Sequence, residues 1–553
     1  MKIGILGLGK LGAGLGLQRH RLNRCWWRSL ITALSSALLA LPGLAAERIE
    51  FFYGPFEIAV RVDDLQHFAE TGEVRGSLRP IAQRLPPSQL DGLRGWLTRP
   101  FSLDVVTVAE LTYSPVGMRL LGQLGDLVQT DDRRSGFSAL RASLILAAAQ
   151  EPGLTTLHVL QQFPLDIVQI DYALARELLG EGQAFFQRRQ TVLSALEAQA
   201  RQNLAPVATA LSQKTPEQPG TYPWERRTLE FENALRRTRP IADLYLPQIS
   251  APPGSLPVVV ISHGAASSRQ TLRYLAEHLA SHGYGAVVLE HDDNGAQFEQ
   301  FLSGMAQPPD PITLLSRPRD VTAVLDTLET LAQADPSIGR LDLAQVGVVG
   351  QSLGAYTALA VAGATFNPEA LRQVCPSPTQ SGVSLNLSLL VQCEVLEIAT
   401  DLPASLRDQR VTSAIAINPL TSHIFGEAGL SQVEIPVMVV AGTDDVFTPA
   451  VPEQIQPFDW IASPEKHLVV VGAGTHFSFL EGDTSGGALP LPPGLLGPDA
   501  RAAYPYLKGL STAFFNRYQR GQTAASTYLG QGYLDTFEQS PFRALIVQDL
   551  PDF

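Results

Sequence analysis

Residues Gly350, Gln351, Ser352, Leu353 and Gly354 spell G-x-S-x-G between the apolar run Val346, Gly347, Val348, Val349 and a helical pattern over residues 355–364. Strand, tight turn and helix in that order leave the chain little freedom. A turn this sharp has no room for a Cβ on either side of the serine, hence the two glycines, and it pushes Ser352 out at the carboxyl edge of a sheet. Ser352 is therefore a candidate nucleophile. Such a serine needs a base to take its proton and a carboxylate to hold that base in the right tautomer.

Both residue types follow downstream. Ile435-Pro436 leads into an apolar strand over residues 437–441, which ends in Gly442-Thr443-Asp444-Asp445. The next apolar strand, residues 468–471, ends in Gly472-Ala473-Gly474-Thr475-His476. In an open parallel sheet all carboxyl ends lie on one edge, so Ser352, Asp445 and His476 can converge although they are far apart in sequence. Either aspartate read alone is an ordinary turn residue; the joint occurrence of three residue types in order favours Asp445 as the acid and His476 as the base. His67, His158, His278, His282, His291, His423 and His467 follow no such pattern and read as surface or structural. Backbone donors for an oxyanion are expected at Leu353, directly after the serine, and at Ala265, in the turn His263-Gly264-Ala265-Ala266 that ends a strand over residues 257–262.

The stretch P-V-V-V-I-S-H-G-A-A-S-S-R at residues 257–269, with L-A-S-H-G-Y at 279–284, V-V-L-E-H-D at 287–292 and V-V-G-Q-S-L-G at 348–354, resembles the platelet-activating factor acetylhydrolase branch of the α/β-hydrolases. Overall the chain is similar to exported bacterial predicted hydrolases that carry a helical domain ahead of the catalytic one. The resemblance implies a serine esterase or lipase-like enzyme acting on short-acyl or phospholipid esters without a metal or other cofactor. One departure stands out: those acetylhydrolases carry the acid after the strand that here reads S-A-I-A-I-N from Ser413, where this chain has Asn418. An amide cannot be the anionic partner, which moves the acid to Asp445.

Strands near residues 258, 286–290 and 346–349 alternate with helices at 270–281 and 319–332, the pattern of a mostly parallel sheet with helices on both faces. The expected fold is thus the α/β-hydrolase fold over residues 223–553, with a lid-like insertion at 366–410. A mainly helical domain over 47–204, opening with a hairpin around Gly54-Pro55, precedes it. Residues 205–222, rich in Pro, Gln and Thr, read as a linker. Tyr172 opens a long helical pattern that Gly180 and Gly182 could divide.

The first 46 residues read as a signal peptide. G-L-G-K-L-G at residues 7–12 fits a dinucleotide fingerprint, but no acidic residue follows before Glu47 to hold a ribose. Arg19, Arg21, Arg24 and Arg28 precede a short apolar run that ends in Gly43-Leu44-Ala45-Ala46, the layout of an export signal. The expected location is periplasmic or secreted. Cys25 would leave with that segment, and Cys375 with Cys393 would form one disulfide in an oxidising compartment, a free-thiol state being the alternative. A formal net charge of −13 argues against nucleic acid as a partner and against simple adhesion to anionic membranes; the expected partner is a small ester or lipid, with transient membrane contact. The other readings are a lactone hydrolase or peptidase on the same scaffold, and a binding module that kept the fold but lost turnover.

Overall fold

A computed structural model describes residues 45–53, 56–202, 215–375, 384–482, 493–537 and 540–553. The expected signal segment up to Leu44, residues 205–214 of the expected linker, and residues 376–383 of the insertion lie outside them. Ala45–Phe553 forms one compact unit.

The C-terminal part is built on nine strands: β5 (Trp224–Glu230), β6 (Ile241–Pro247), β7 (Leu256–Ser262), β8 (Gly285–Leu289), β9 (Leu341–Gln351), β10 (Val411–Ile417), β11 (Val437–Gly442), β12 (Lys466–Gly472) and β13 (Arg543–Val547). Their order in the sheet is β13-β12-β11-β10-β9-β7-β8-β6-β5. The six strands from β12 to β8 run parallel, while β13, β6 and β5 pair antiparallel at the two edges. The parallel strands are apolar at successive positions because both faces are covered. Val259, Ile261, Val349, Ile415 and Val440 pack under the helices Arg273–Ser281 and Tyr504–Tyr518. Val258, Val260, Val346 and Val348 pack on the other face with residues of Thr313–Ala332 and Leu353–Ala362. Strand order reverses between β7 and β9, which opens a crevice at their carboxyl ends.

The helix expected at 319–332 begins six residues earlier, at Thr313, and carries Pro318 inside it. A proline there removes the N–H that would bond the carbonyl four residues back. That carbonyl, Leu314 O, instead accepts the Tyr356 hydroxyl at 2.6 Å. A tertiary contact thus supplies what the local sequence withholds.

Ahead of the large sheet, the hairpin β1 (Arg48–Tyr53) and β2 (Phe56–Arg61) is present, but it belongs to a four-stranded sheet, β2-β1-β4-β3, completed by β3 (Val128–Gln129) and β4 (Ile167–Ile170). Around this small sheet the region is mainly helical, as expected. Tyr172–Gln202 is a single helix through Gly180 and Gly182. Its far end is buried in the core of the large sheet through Val192, Leu196 and Ala200, and it packs on β13. The helix Val105–Tyr113 packs on Gly295–Leu302, which follows β8, and Pro115–Leu127 packs on Leu389–Gln392 in the insertion. Gly295–Leu302 follows the carboxyl end of β8, so the N-terminal region reaches that edge of the sheet. Residues 215–222 also pack on the helix Arg273–Ser281: His278 Nε2–H donates to Pro216 O at 2.9 Å, and Tyr222 N donates to Ser281 O at 3.0 Å.

Within the insertion, Cys375 and Cys393 form a disulfide with Cα atoms 5.7 Å apart. A bridge of this span removes about 3 kcal/mol of loop-closure entropy from the unfolded chain. The buried Glu453 carboxylate accepts Gln392 Nε2 at 2.9 Å and the Thr421 and Ser422 amides at 2.7 and 2.9 Å, fastening the insertion to the segment after β10. Cys375→Ser is therefore expected to lower the melting temperature and shift substrate preference while Ser352 still reacts with a small probe. Parallel melting and probe-labelling assays check both halves of that expectation.

Glu394, beside this bridge, lies 3.6 Å from Arg119 of the N-terminal region, which also pairs with Glu397. Burial pushes the Glu394 carboxyl up to about 7, against the pull of Arg119 and with the repulsion of Glu397 and Asp293. Between the unfolded value of 4.5 and about 7, the folded protein keeps a proton that the unfolded chain has lost. Stability therefore falls as pH rises through that window, by roughly 3 kcal/mol. Glu394→Gln should remove this dependence, so the gap in melting temperature between variant and wild type should widen in the variant's favour from about pH 5 to about pH 8.

Candidate active site

Ser352 directly follows β9 with φ 55° and ψ −121°, a backbone conformation that a non-glycine residue holds only under local constraint. The constraint is steric. A Cβ on Gly350 would lie 1.9 Å from Gly354 O, and one on Gly354 would lie 2.1 Å from Ser262 O, so neither glycine of the turn can be replaced without moving backbone. Ser352 N donates to Ile417 O at 2.8 Å, tying the turn to the end of β10.

Because β9, β10, β11 and β12 are consecutive neighbours in the sheet, the loops that follow them meet. His476, after β12, places Nε2 at 2.9 Å from Ser352 Oγ. Its Nδ1–H donates to Asp445 Oδ2, after β11, at 2.7 Å. Asp445 is 4% exposed. Its Oδ1 accepts the Phe447 and Thr448 amides, each at 2.9 Å, and the Thr448 hydroxyl donates to Oδ2 at 2.8 Å. Four donors thus fix the carboxylate. Phe447 and Phe477 pack on the His476 ring with centroids 5.4 and 5.6 Å away. Gln351 Nε2 donates to His476 O at 3.0 Å and holds the histidine loop against the serine turn. Asp444 points elsewhere, to an ion pair with Arg189 of the long helix Tyr172–Gln202.

Asn418, in the position where the acetylhydrolase pattern has its acid, is buried at φ 47°. Its Nδ2 donates to Thr475 O at 3.1 Å, and its Oδ1 accepts Gly442 N at 3.2 Å. It therefore links the loop that carries Asp445 to the loop that carries His476. An amide suits this place because it offers a donor and an acceptor at once, which a carboxylate does not.

At the helix start after Ser352, the Leu353 amide has no acceptor within its own helix. Across the crevice the β7 turn runs His263, Gly264, Ala265, Ala266. Ala266 N donates to Asp293 O at 2.8 Å, while no described residue accepts the Ala265 N–H. Neither N–H is thus bonded to an acceptor among the described residues.

The sequence reading missed a second Ser-His-Asp chain. His291, read as surface or structural, receives the Ser262 hydroxyl on Nε2 at 2.8 Å and donates from Nδ1 to Asp320 at 2.8 Å. All three residues are fully buried. Arg236 donates to Asp320 at 2.8 Å, and burial, with Arg317 and Arg236 nearby, holds His291 well below the ordinary histidine range. This set has the geometry of a proton relay but no access for a substrate, so it is a scaffold beneath the site. The position of His291 directly beyond an apolar strand was the only signal for it. Among the described residues no group of His, Cys, Asp and Glu is arranged to hold a metal ion.

Residues 45–171 match the family model described as "Alpha/beta hydrolase of unknown function (DUF1400)". Residues 242–316, which contain β7, β8 and the turn with Ala265, match the model described as "Platelet-activating factor acetylhydrolase, isoform II". A comparison with curated proteins finds no match. The chain therefore has the α/β-hydrolase fold, and two separate stretches of it are similar to an α/β-hydrolase family and to the platelet-activating factor acetylhydrolases.

Proposed function

We propose that the protein is an exported serine hydrolase that cleaves carboxylic esters, of short acyl or phospholipid type, with Ser352, His476 and Asp445 as its catalytic triad. The observation that carries this reading is the unbroken line from Asp445 Oδ2 through His476 to Ser352 Oγ, with hydrogen bonds of 2.7 and 2.9 Å. Similarity to two hydrolase families supports hydrolysis of esters as the reaction class.

Ser352 Oγ attacks the acyl carbon while its proton passes to His476 Nε2; the carbonyl electrons move onto oxygen, which the Leu353 and Ala265 amides face. Collapse of this tetrahedral species expels the alcohol, which leaves with the proton from His476 Nε2. Water, deprotonated by the same nitrogen, then attacks the acyl-serine; the carboxylic acid leaves and Ser352 Oγ takes back the proton from His476 Nε2, restoring the free enzyme. Asp445 keeps the Nδ1–H tautomer, so Nε2 is the basic atom facing Ser352 throughout.

The test is hydrolysis of p-nitrophenyl esters of graded chain length, and of a phospholipid with a short second acyl chain, by purified protein. Turnover that peaks at one chain length supports the reading. No hydrolysis of any ester in the series refutes it.

A further inference from the structure

Arg317 is the largest fully buried side chain of the described residues, and nothing in the proposed reaction uses it. Its Nη1 donates to His263 O at 2.6 Å and its Nη2 to Gly264 O at 3.1 Å, while Nε donates to Asp293 at 2.9 Å. His263 adds a second donor to the same carbonyl. Its Nδ1 lies 2.7 Å from Gly264 O, and its Nε2 accepts the His291 amide at 3.0 Å. A carbonyl can only accept and an amide N–H can only donate, so the His263 tautomer is fixed with the proton on Nδ1. Burial, with His291 and Arg317 nearby, holds His263 well below the ordinary histidine range and keeps the ring neutral.

Gly264 O therefore receives two hydrogen bonds from buried side chains. In a trans peptide the N–H of the next residue points opposite to the carbonyl. Fixing Gly264 O toward Arg317 and His263 thus fixes the Ala265 N–H in the opposite direction, and this turn presses on the nucleophile: a Cβ on Gly264 would lie 3.3 Å from Ser352 Cβ and 2.5 Å from Gln351 Oε1. The following amide, Ala266 N, is engaged by Asp293 O, so the same Asp293 that neutralises Arg317 also sets the far side of the turn.

We propose that Arg317 and His263 are positioning residues, a buried guanidinium and imidazole clamp that turns the Gly264–Ala265 peptide so that its N–H faces the acyl oxygen at Ser352. The charge on Arg317 also polarises that peptide, making the Ala265 amide a stronger donor. This rests on the esterase reading for its catalytic consequence, but not for its geometry.

Arg317→Lys keeps a cation beside Asp293 but cannot span both carbonyls. The expected result is a kcat about 10²-fold lower, the scale of losing one oxyanion donor. KM and the pH midpoint of the rate should stay near wild type, and affinity for a trifluoromethyl ketone, whose adduct is tetrahedral, should fall in step with kcat. His263→Ala should behave likewise, and His263→Asn, whose amide nitrogen can stand where Nδ1 donated, should recover part of the loss. A crystal structure of Arg317→Lys supplies the readout independent of activity: the Gly264–Ala265 peptide should be rotated or split between orientations. A folded Arg317→Lys with wild-type kcat and an unmoved peptide overturns the proposal, as does a loss of kcat fully explained by fewer titratable active sites. If the wild type hydrolyses no ester, the esterase reading fails while the peptide orientation still decides the clamp: rotated supports it, unmoved overturns it.

Discussion

Ser352→Ala is expected to lower ester turnover by about 10⁶-fold, the scale seen when a serine nucleophile is removed from an otherwise intact triad. The loss is that large because Ser352 Oγ is the one described side-chain atom hydrogen-bonded to His476 Nε2. The Ser352 hydroxyl has His476 as its side-chain partner, so alanine should leave the fold and the melting temperature unchanged. Steady-state kinetics on the preferred ester, with thermal melting of the same preparation, checks both. A variant that keeps more than a small fraction of activity would place the nucleophile elsewhere.

Asp445→Asn should cost about 10⁴-fold in kcat. Oδ1 of Asp445 is held by two amide donors, so the oxygen of an asparagine would occupy that place and its NH₂ would face His476 Nδ1. Two donors cannot face each other, and the imidazole would answer by moving its proton to Nε2, where it can no longer accept one from Ser352. Asp444→Asn removes only a partly exposed ion pair with Arg189, an interaction worth about 1 kcal/mol or less, and should leave kcat within a few-fold of wild type. Asn418→Ala loosens both loops without changing the tautomer and should fall between the two. Damage from Asn418→Ala equal to that from Asp445→Asn would contradict the assignment of the acid.

Kinetic comparison of Asp445 and Asp444 also bears on what short-range sequence can reveal. The turn at Ser352 was readable because its glycines answer a steric demand within five residues, and the loops of Asp445 and His476 because each follows an apolar strand whose length is set locally. The buried chain Ser262, His291 and Asp320 was not, since it joins the ends of two strands to the middle of a helix and exists only once β7 and β8 are paired. Arg317 was hidden for the same reason. Pro318 next to it marked a helix boundary by local rules, and only the hydroxyl of Tyr356, on a different helix, makes that position tolerable. In the N-terminal region β3 and β4 span two and four residues, too short for any alternation to show, and they become strands through their pairing with each other and with β1.

The central claim, that Ser352 is a nucleophile activated by His476 and Asp445, is tested most directly by reacting the purified protein with a fluorophosphonate probe and mapping the modified peptide by mass spectrometry. The account predicts a single labelled site at Ser352, no labelling of Ser352→Ala, and much slower labelling of Asp445→Asn. Labelling of Ser352→Ala at the wild-type rate, or a wild-type protein labelled at another serine, would contradict it.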